Sequence, residues 1–530
     1  MSTAYDAIVV GARCAGAPTA MLLARRGHRV LLVDRAAFPS DTLSTHMIHP
    51  PGVAALARWG LLGRVTATGC PPVTTYSFDF GPFALTGSPP PHGGTGVGYG
   101  PRRRVLDAVL VAAADEAGAE VREHFHVDEV LIEDGTVVGV RGHGTGGPQV
   151  TERARVVIGA DGRSSRVAKA VGAPEYRTKP RLQRAYYAYW SGLPVSGFET
   201  YARPGRGWGT IPTNDGLTAV VVGWPRDEEQ AFRADVEGNF LATLELAPEF
   251  AQRVRAGRRE EGFLGASVPN FFRRPYGPGW ALVGDAGHTK DPITAQGISD
   301  AFRDAELCAD ALDDVLTGRR PFAEALSGYA AARDAQVSEM YEFTAQLATL
   351  APPPEDTARL LAAASGDRAA MNRFAGVVAG TVPPHAFFAP APETPATRGA
   401  PVTRGAPVTR GVPAAPARAA RPPRAGRDPL RHPLPAHGKG IPGIGSLRNT
   451  DIGGRPPRPR AGDARLAAWS SNHRTWTPGP GSSWSTTTPP SPRSSRATST
   501  APDTSSTGPA TARRRSPGRR RTGRTSSSST

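Results

Sequence analysis

The feature that most constrains this chain is a glycine-bounded loop near its start, Gly11-Ala12-Arg13-Cys14-Ala15-Gly16. The apolar run Tyr5 to Val10 before the loop predicts a short buried strand. Ala17 to Arg26 after it has helical spacing and is followed by a glycine, and His28 to Asp34 predicts a second strand. A strand, a helix and a strand in such close succession predict a βαβ unit with parallel strands.

Glycines at these places in a βαβ unit favour dinucleotide binding. A bound dinucleotide needs a sharp turn, backbone amides directed at its pyrophosphate and a helix N-terminus that stabilises the negative charge. Gly11 can form the turn, and Gly16 permits close packing of the helix against the strand. Asp34 lies at the expected separation of about 20 residues and can accept hydrogen bonds from the ribose hydroxyls.

Arg13 stands where the GxGxxG pattern has its middle glycine. A side chain there crowds the approach of backbone to phosphate, unless the guanidinium turns outward or binds the pyrophosphate itself. The sequence leaves both arrangements open. The neighbouring Cys14 is interpreted as a small packing residue rather than a covalent cofactor anchor.

Two acidic motifs occur later in the chain. The stretch 159–165 contains Asp161-Gly162, and the stretch 284–288 contains Gly284-Asp285 and continues through 291–298 into helix-like sequence. An acid at a strand end can hydrogen-bond a polyol, and a helix N-terminus can stabilise an anionic ring. Either motif alone is weak evidence, because Asp-Gly is also a common hairpin turn, as at Asp134.

Together, in this order and spacing, the three motifs resemble the flavoprotein family that includes para-hydroxybenzoate hydroxylase and the geranylgeranyl reductases. The resemblance covers about residues 5 to 345. It implies FAD bound in an extended form, with the Gly11 loop and Asp34 on its ADP half and Asp285 on its ribityl chain. The segment from Pro292 to Gly297 would lie beside the isoalloxazine ring.

The same resemblance assigns the remaining motif residues. Asp161 and Gly162 would contact the pyrophosphate region and assist a nicotinamide cofactor, and Arg103 would approach the flavin. Arg13 is the main departure from the family pattern. The candidate cofactor-binding residues are Gly11, Ala12, Arg13, Gly16, Asp34, Arg35, Arg103, Asp161, Gly162, Gly284, Asp285, Pro292, Gln296, Gly297 and Ile298.

The expected fold class is α/β. A Rossmann-like FAD-binding domain of the glutathione-reductase type, with a parallel sheet, would carry an inserted antiparallel-sheet substrate domain. Alternating aromatic sequence from about residue 180 to 265 predicts the second sheet. The predicted boundaries are 1–178 and 271–345 for the FAD-binding domain, 179–270 for the substrate domain, 346–390 for a helical segment and 391–530 for a disordered basic tail.

The resemblance implies one of two activities. Family hydroxylases reduce the flavin with NADH or NADPH and use O2 to oxygenate an electron-rich substrate, whereas the reductases deliver hydride to an alkene. Halogenases of similar fold have a Trp-x-Trp-x-Ile-Pro motif and an early lysine, but this chain has Gly207-Trp208-Gly209-Thr210-Ile211-Pro212 and its first lysine is Lys169. We expect an NAD(P)H-dependent monooxygenase acting on a hydrophobic or aromatic small molecule. The alternative is a flavin reductase or dehydrogenase acting on an alkene, a reading favoured by the Gly-Trp turn.

His46 and His288 are the candidate catalytic acid/base residues, because imidazole exchanges protons near neutral pH. A lone histidine has a structural role more often than a catalytic one. The four aromatic residues at 186, 187, 189 and 190 are candidates for substrate-pocket walls, although alternation along a strand sends half of them to the other face. Core packing is the favoured role for these rings.

The tail differs sharply from the rest of the chain. Of 63 Lys and Arg and 47 Asp and Glu, 24 and 5 lie after residue 390, which leaves net charges of +19 in the tail and −3 before it. Its Pro, Gly, Ser and Arg composition predicts disorder. Of its basic residues only Lys439 is lysine, which is typical of a shifted reading frame in GC-rich DNA. The alternative is an arm that binds nucleic acid, which would make the chain a nucleic-acid-binding protein.

Localisation follows from cysteine usage and hydropathy. The three cysteines have no metal-ligand spacing, and no apolar run reaches the roughly 18 residues of a membrane span. These features predict a cytoplasmic enzyme without a membrane span. No pattern indicates an oligomeric state.

Overall fold

The computed structural model describes residues 5–388, which form a mixed α/β fold as predicted. The strands are β1 Tyr5–Val10, β2 Val30–Val33, β3 Pro72–Val73, β4 Tyr76–Asp79, β5 Ala84–Gly87, β6 Gly98–Tyr99, β7 Glu120–Arg122, β8 Phe125–Glu133, β9 Thr136–Gly144, β10 Gln149–Gly159, β11 Glu175–Lys179, β12 Gln183–Ser191, β13 Phe198–Arg203, β14 Arg206–Pro212, β15 Thr218–Pro225, β16 Arg258–Arg259, β17 Leu264–Ala266, β18 Asn270–Arg273, β19 Tyr276–Gly277, β20 Trp280–Leu282 and β21 His288–Thr289. The α-helices are α1 Gly16–Ala24, α2 Pro50–Arg58, α3 Leu62–Thr66, α4 Arg103–Glu116, α5 Arg166–Ala170, α6 Glu229–Ala234, α7 Val236–Leu244, α8 Pro248–Ala256, α9 Gly297–Leu316, α10 Phe322–Leu347, α11 Glu355–Ala364, α12 Arg368–Val378 and α13 Pro384–Phe388.

The first large sheet contains the predicted βαβ unit. Its strand order is β19-β20-β10-β1-β2-β7, and β20, β10, β1, β2 and β7 run parallel. The chain therefore enters at β1, returns through α1 to β2, and comes back to the centre of the same sheet at β10 and β20. Parallel strands put their carboxyl ends at one edge. The ends of β1, β10 and β20 thus bring the three sequence motifs together.

Apolar residues on both faces of this sheet explain why β1, β2 and the last four residues of β10 are almost continuously buried. One face packs against α1, α4 and α9, with Val9, Leu32 and Phe302 in a shared core. The other face, including Ile8 and Val157, packs against the β8–β9 hairpin and α5. This hairpin turns at Asp134, and β9 pairs with β10 on its other side.

The second large sheet has the order β16-β12-β15-β14-β13-β4-β5, with β17 pairing with β12. Helices α6, α7 and α8 cover one face, and α11, α12 and α13 belong to the apolar cluster on the other. The predicted insertion 179–270 omits β4 and β5, which lie at one edge of this sheet. The parallel pairing of β4 with β13 joins segments more than a hundred residues apart, which local alternation cannot predict.

Two expectations concern the rest of the chain. The disorder predicted for 391–530 lies outside the described residues. Among residues 5–388, no helix is both long and apolar enough to cross a membrane.

Candidate functional site

The Gly11 loop is built so that only glycine fits at its two ends. Gly11 has φ +101°, and a Cβ there would stand 2.5 Å from the carbonyl oxygen of Ala160. A Cβ on Gly16 would stand 1.7 Å from the carbonyl oxygen of Gly11. At these two positions the chain has no room for a side chain, and the tight turn brings the N-terminus of α1 close to the end of β1, where a pyrophosphate would be stabilised.

Asp34 holds this loop in place from the end of β2. Its Oδ2 accepts a hydrogen bond from the backbone N–H of Ala12 at 2.7 Å, and its Oδ1 accepts one from Ala36 at 2.8 Å. The carboxylate is half-buried, so an outer face stays open beside the loop. The next residue, Arg35, is exposed at the same edge.

Arg13 turns away from the loop towards α4. Its Nη1 lies 2.6 Å from Oδ2 of Asp107, and its Nη2 donates to Oγ of Ser40 at 3.0 Å. Of the two arrangements left open by the sequence, the structure has the guanidinium turned outward. Arginine at the middle position therefore leaves the space over the loop free.

Asp107 joins three residues around the loop. It is fully buried and receives two hydrogen bonds of 3.1 Å from Arg103 in addition to the bond from Arg13. The Cys14 thiol contacts the same carboxylate at 3.4 Å, and burial raises its pKa. A protonated, buried thiol fits a packing role for Cys14 and not a covalent anchor.

Arg103 extends this network towards the motif at the end of β20. Burial disfavours its charge, but the carboxylates of Asp107 and Asp285 outweigh that effect and hold the pKa of Arg103 above its usual range. Asp285 itself is exposed to solvent, although protein atoms crowd round it closely enough to raise its pKa by desolvation. A carboxylate that is both crowded and open lies in a deep groove.

Gly284 and Asp161 form the other walls of this groove. A Cβ on Gly284, where φ is +56°, would stand 2.8 Å from Cβ of Ala15. Asp161 uses Oδ2 to accept the N–H of Arg166 at 2.6 Å, while its Oδ1 is buried without a hydrogen-bond partner among the described residues. Burial raises the pKa of Asp161. Gly162 follows it with φ +78°.

The donor set and shape of this groove fit FAD. A glycine cradle faces the position expected for the pyrophosphate, an open carboxylate stands at Asp285, and an unpaired oxygen of Asp161 lies on the same edge. The segment 292–298 leads from the third motif into α9. The N-terminus of the 20-residue helix α9 opens at Gly297, where a Cβ would meet nothing within 4 Å. An anionic ring would be stabilised there.

Not every predicted cofactor residue in that segment faces the groove. Gln296 directs its Nε2 to the carbonyl oxygen of Val378 at 2.7 Å, which ties α9 to α12. Ile298 is buried in the core under the first sheet. Pro292 is half-buried and lines a separate cavity described below.

His46 is buried in a strained turn with φ +59°. Its Nε2 lies 2.7 Å from the hydroxyl of Tyr189, and its Nδ1 has no hydrogen-bond partner among the described residues. The nearby Pro101 carbonyl has only a small raising effect on the pKa of His46, and it does not form a hydrogen bond with Nδ1. Burial dominates and lowers the pKa of His46 to about 3, so the imidazole is neutral near pH 7.

His288 lies in a different environment. Its ring stacks on Phe272 at 5.6 Å, and its Nδ1 is 3.3 Å from Oδ2 of Asp304. Asp300 is 3.7 Å from the other ring nitrogen. This cluster is buried beneath α9, which favours a structural role for His288.

A large apolar cavity of about 1440 Å³ adjoins the segment 292–295. Aromatic side chains from the second sheet and from the last helices line it. They include Phe78 of β4, Phe198 of β13, Phe343 of α10, Phe374 of α12 and Phe388 of α13. None of the four aromatic residues of β12 is among its lining residues. Tyr186 and Trp190 pack under α6, α7 and α8, and Tyr187 and Tyr189 form a small cluster. Core packing, the favoured role, is what the structure shows.

Three polar residues in or directly behind the wall of this cavity were not predicted from the sequence. Gln183 lines the cavity, and its Nε2 donates to Oδ1 of the buried Asp291. His49 links Tyr76 to the carbonyl oxygen of Thr294, each at 3.0 Å. Only Asp291 had a sequence signal, its place directly before Pro292 in the third motif. Gln183 and His49 are brought there by long-range folding.

Comparison with known proteins identifies the family. Residues 4–344 match the family described as FAD binding domain. The chain is 29% identical over 313 residues to digeranylgeranylglycerophospholipid reductase 2 of Methanopyrus kandleri, covering 56% of this chain and 73% of the relative. It is 28% identical over 344 residues to 6-methylpretetramide 4-monooxygenase of Streptomyces rimosus, covering 62% of this chain and 79% of the relative.

Solved structures agree with this assignment. A probable FAD-dependent monooxygenase of Pseudomonas aeruginosa has a TM-score of 0.59 and 25% identity, covering 66% of this chain and 96% of the other. A myxobacterial chondrochloren halogenase has a TM-score of 0.62 over 72% of this chain and 99% of the other. At 24% identity the halogenase shows the shared fold alone.

Proposed function

The chain belongs to the FAD binding domain family and is an FAD-dependent oxidoreductase, and we propose that it is an NAD(P)H-dependent monooxygenase of a hydrophobic or aromatic small molecule. The observation that carries this proposal is the apolar cavity of about 1440 Å³ beside Pro292. It is larger than the ~300–1000 Å³ of most ligand sites, so it can hold a molecule of several fused rings or a long chain.

The residues of the groove would hold FAD as follows. The Gly11 loop would receive the pyrophosphate at the N-terminus of α1, and Asp34 would offer its open face to the ribose. Asp285 would accept hydrogen bonds from the ribityl hydroxyls, with Arg103 close enough to balance its charge. FAD held by these residues would supply the redox chemistry, namely hydride uptake from NADH or NADPH and transfer of electrons to the next acceptor.

The protein's own contribution is to exclude water and orient the substrate. The aromatic walls leave an apolar space next to the 292–295 turn, and Ala295 at φ +53° ends that turn at the start of α9. Strain of this kind clusters at functional sites. His46, neutral near pH 7, shares a hydrogen bond with the Tyr189 hydroxyl and holds that ring in place.

A reductase is the second candidate, favoured by the relatives named digeranylgeranylglycerophospholipid reductase. The same cavity would accommodate an unsaturated hydrocarbon chain, because its lining is largely apolar. In that case hydride would pass to an alkene and O2 would play no part.

Anaerobic reduction followed by exposure to air distinguishes the two activities. The purified full-length protein is reduced with NADPH under nitrogen and mixed with oxygenated buffer while its visible absorption is recorded. Fast reoxidation through a transient spectrum, distinct from those of the oxidised and reduced flavin, supports the monooxygenase. Slow reoxidation without such a transient supports the reductase. Failure of both NADH and NADPH to bleach the flavin contradicts the proposed reductant.

A further inference from the structure

The cavity wall next to the 292–295 turn includes the buried polar side chain of Gln183, at the start of β12. The residue is only 3% exposed. Its neighbours on the same face of β12 include Ala185, which also lines the cavity. A carboxamide at such a place must satisfy both its donor and its acceptor.

Asp291 satisfies the donor. The Nε2 of Gln183 donates to Oδ1 of Asp291, and the same oxygen accepts the backbone N–H of Ile293 at 3.1 Å. Asp291 is held in turn through its own N–H, which donates to Oδ1 of Asn270 at 2.7 Å. Because Oδ1 of Asp291 accepts both of these bonds, it selects the NH2 side of the carboxamide and turns the carboxamide oxygen the other way.

The oxygen of the Gln183 carboxamide, Oε1, faces away from Asp291. Among residues 5–388, no donor lies within hydrogen-bonding geometry of Oε1. The atom stands over Gly223, where a Cβ would meet it at 2.1 Å, and Gly223 also lines the cavity. Glycine at that place leaves the oxygen room to face the cavity.

Charged groups on the surrounding elements are engaged elsewhere. Lys290 pairs with Asp300, Glu342 of α10 lies 2.8 Å from Lys179, and Arg184 of β12 lies 2.6 Å from Glu229. The Gln183–Asp291 pair therefore acts without a nearby counter-ion, and Oε1 is a neutral acceptor in an apolar wall.

Building on the proposed function, we propose that Gln183 is a specificity-determining residue that accepts a hydrogen bond from a hydroxyl group of the substrate, and that Asp291 is the positioning residue that fixes its carboxamide. The substrate class is then an apolar ring system bearing a phenolic or enolic hydroxyl. A buried acceptor left unpaired is costly, so a molecule without a donor binds more weakly than its hydroxylated counterpart.

The test uses two probes that differ in the donor, 2-naphthol and 2-methoxynaphthalene. Isothermal titration of the full-length holoprotein should show 2-naphthol binding roughly fivefold more tightly, the worth of one neutral hydrogen bond. Gln183→Leu should remove this preference while keeping affinity for the methyl ether within about twofold. The matched control Gln346→Leu changes a glutamine at the exposed rim of the same cavity and should keep the preference.

Asp291→Asn tests the positioning role. Asparagine can present either a donor or an acceptor to Gln183, so the carboxamide is free to flip and the preference for 2-naphthol should fall without loss of apolar affinity. A purely structural role for Asp291 would lower the affinity for both probes equally.

Two results overturn the inference. One is equal binding of the probes by the wild type, including no measurable binding of either. The other is an unchanged preference in Gln183→Leu. Both are distinguishable from failure of the proposed function, because the flavin content and its reduction by NADPH are measured on the same samples and do not depend on Gln183.

Discussion

Replacement of Asp291 by asparagine should change how the stability of the protein depends on pH. Burial raises the pKa of Asp291 to about 7, against the smaller lowering effects of the hydrogen bonds from Gln183 and Ile293. In the unfolded chain the same carboxyl has a pKa of about 3.9. The folded protein therefore binds this proton more tightly than the unfolded chain, and deprotonation weighs against folding.

The sign and size follow from this difference. The contribution of the protonated carboxyl to stability is complete below the unfolded pKa and is lost as the pH rises towards the folded pKa. A difference of roughly 3 pH units corresponds to about 4 kcal/mol, of which more than half is lost between about pH 5 and pH 8. Asparagine keeps a side chain that can cap the 292–294 turn and meet Gln183, but it does not titrate.

The assay is equilibrium unfolding in urea of the wild type and Asp291→Asn at several pH values, with FAD in equal excess. Asp161 and Asp285, whose pKa values are also raised, are present in both proteins and cancel in the comparison. The free energy of unfolding of Asp291→Asn, relative to that of the wild type, should rise as the pH rises towards the folded pKa of Asp291. A difference that is flat across this range, or that falls with pH, would refute the reasoning.

Three further predictions concern the groove and the buried histidine. Gly16→Ala should purify with little FAD, because its Cβ would overlap the carbonyl oxygen of Gly11, whereas Gly63→Ala, which meets nothing within 4 Å, should keep its visible absorption per protein. Asp107→Asn leaves Arg13 and Arg103 without their buried carboxylate. It should lower the free energy of unfolding in urea by about 3 kcal/mol and weaken FAD binding in a titration. Unchanged stability and unchanged FAD affinity would show that this network is not needed. His46→Gln should lose less stability than the wild type as pH falls from about 6.5. In the wild type the unfolded chain, with a His pKa of about 6.5, takes up a proton that the folded protein, with a pKa of about 3, does not, so acid favours unfolding. Identical acid sensitivity of the two proteins in thermal melts would contradict this.

The part of the site that could be predicted from sequence is the part that is local. The strand Tyr5–Val10, the glycines of the loop and Asp34 lie within one βαβ unit, and their spacing alone indicates a dinucleotide site. The outward turn of Arg13 could not be predicted, because its partner Asp107 is 94 residues away in sequence. The expectation left both directions open for that reason.

The residues of the substrate cavity were harder to predict from the sequence, for the same physical reason. Strand alternation predicted a second sheet, but whether a residue faces the helices or the cavity depends on register and on which elements cover each face. Tyr186 and Gln183 both belong to β12, yet one packs under the helices and the other lines the cavity. The acceptor role of Gln183 arises only when Asp291, more than a hundred residues later, is folded against it.

The central claim is that the groove between the Gly11 loop and Asp285 holds FAD. The most direct test is a titration of the protein, stripped of any bound flavin, with FAD, followed by the quenching of flavin fluorescence and by the visible absorption band. The account predicts saturation at one FAD per chain, lost in Gly16→Ala and retained in Gly63→Ala. A folded protein that binds no FAD, or that binds it equally well in Gly16→Ala, would contradict the account.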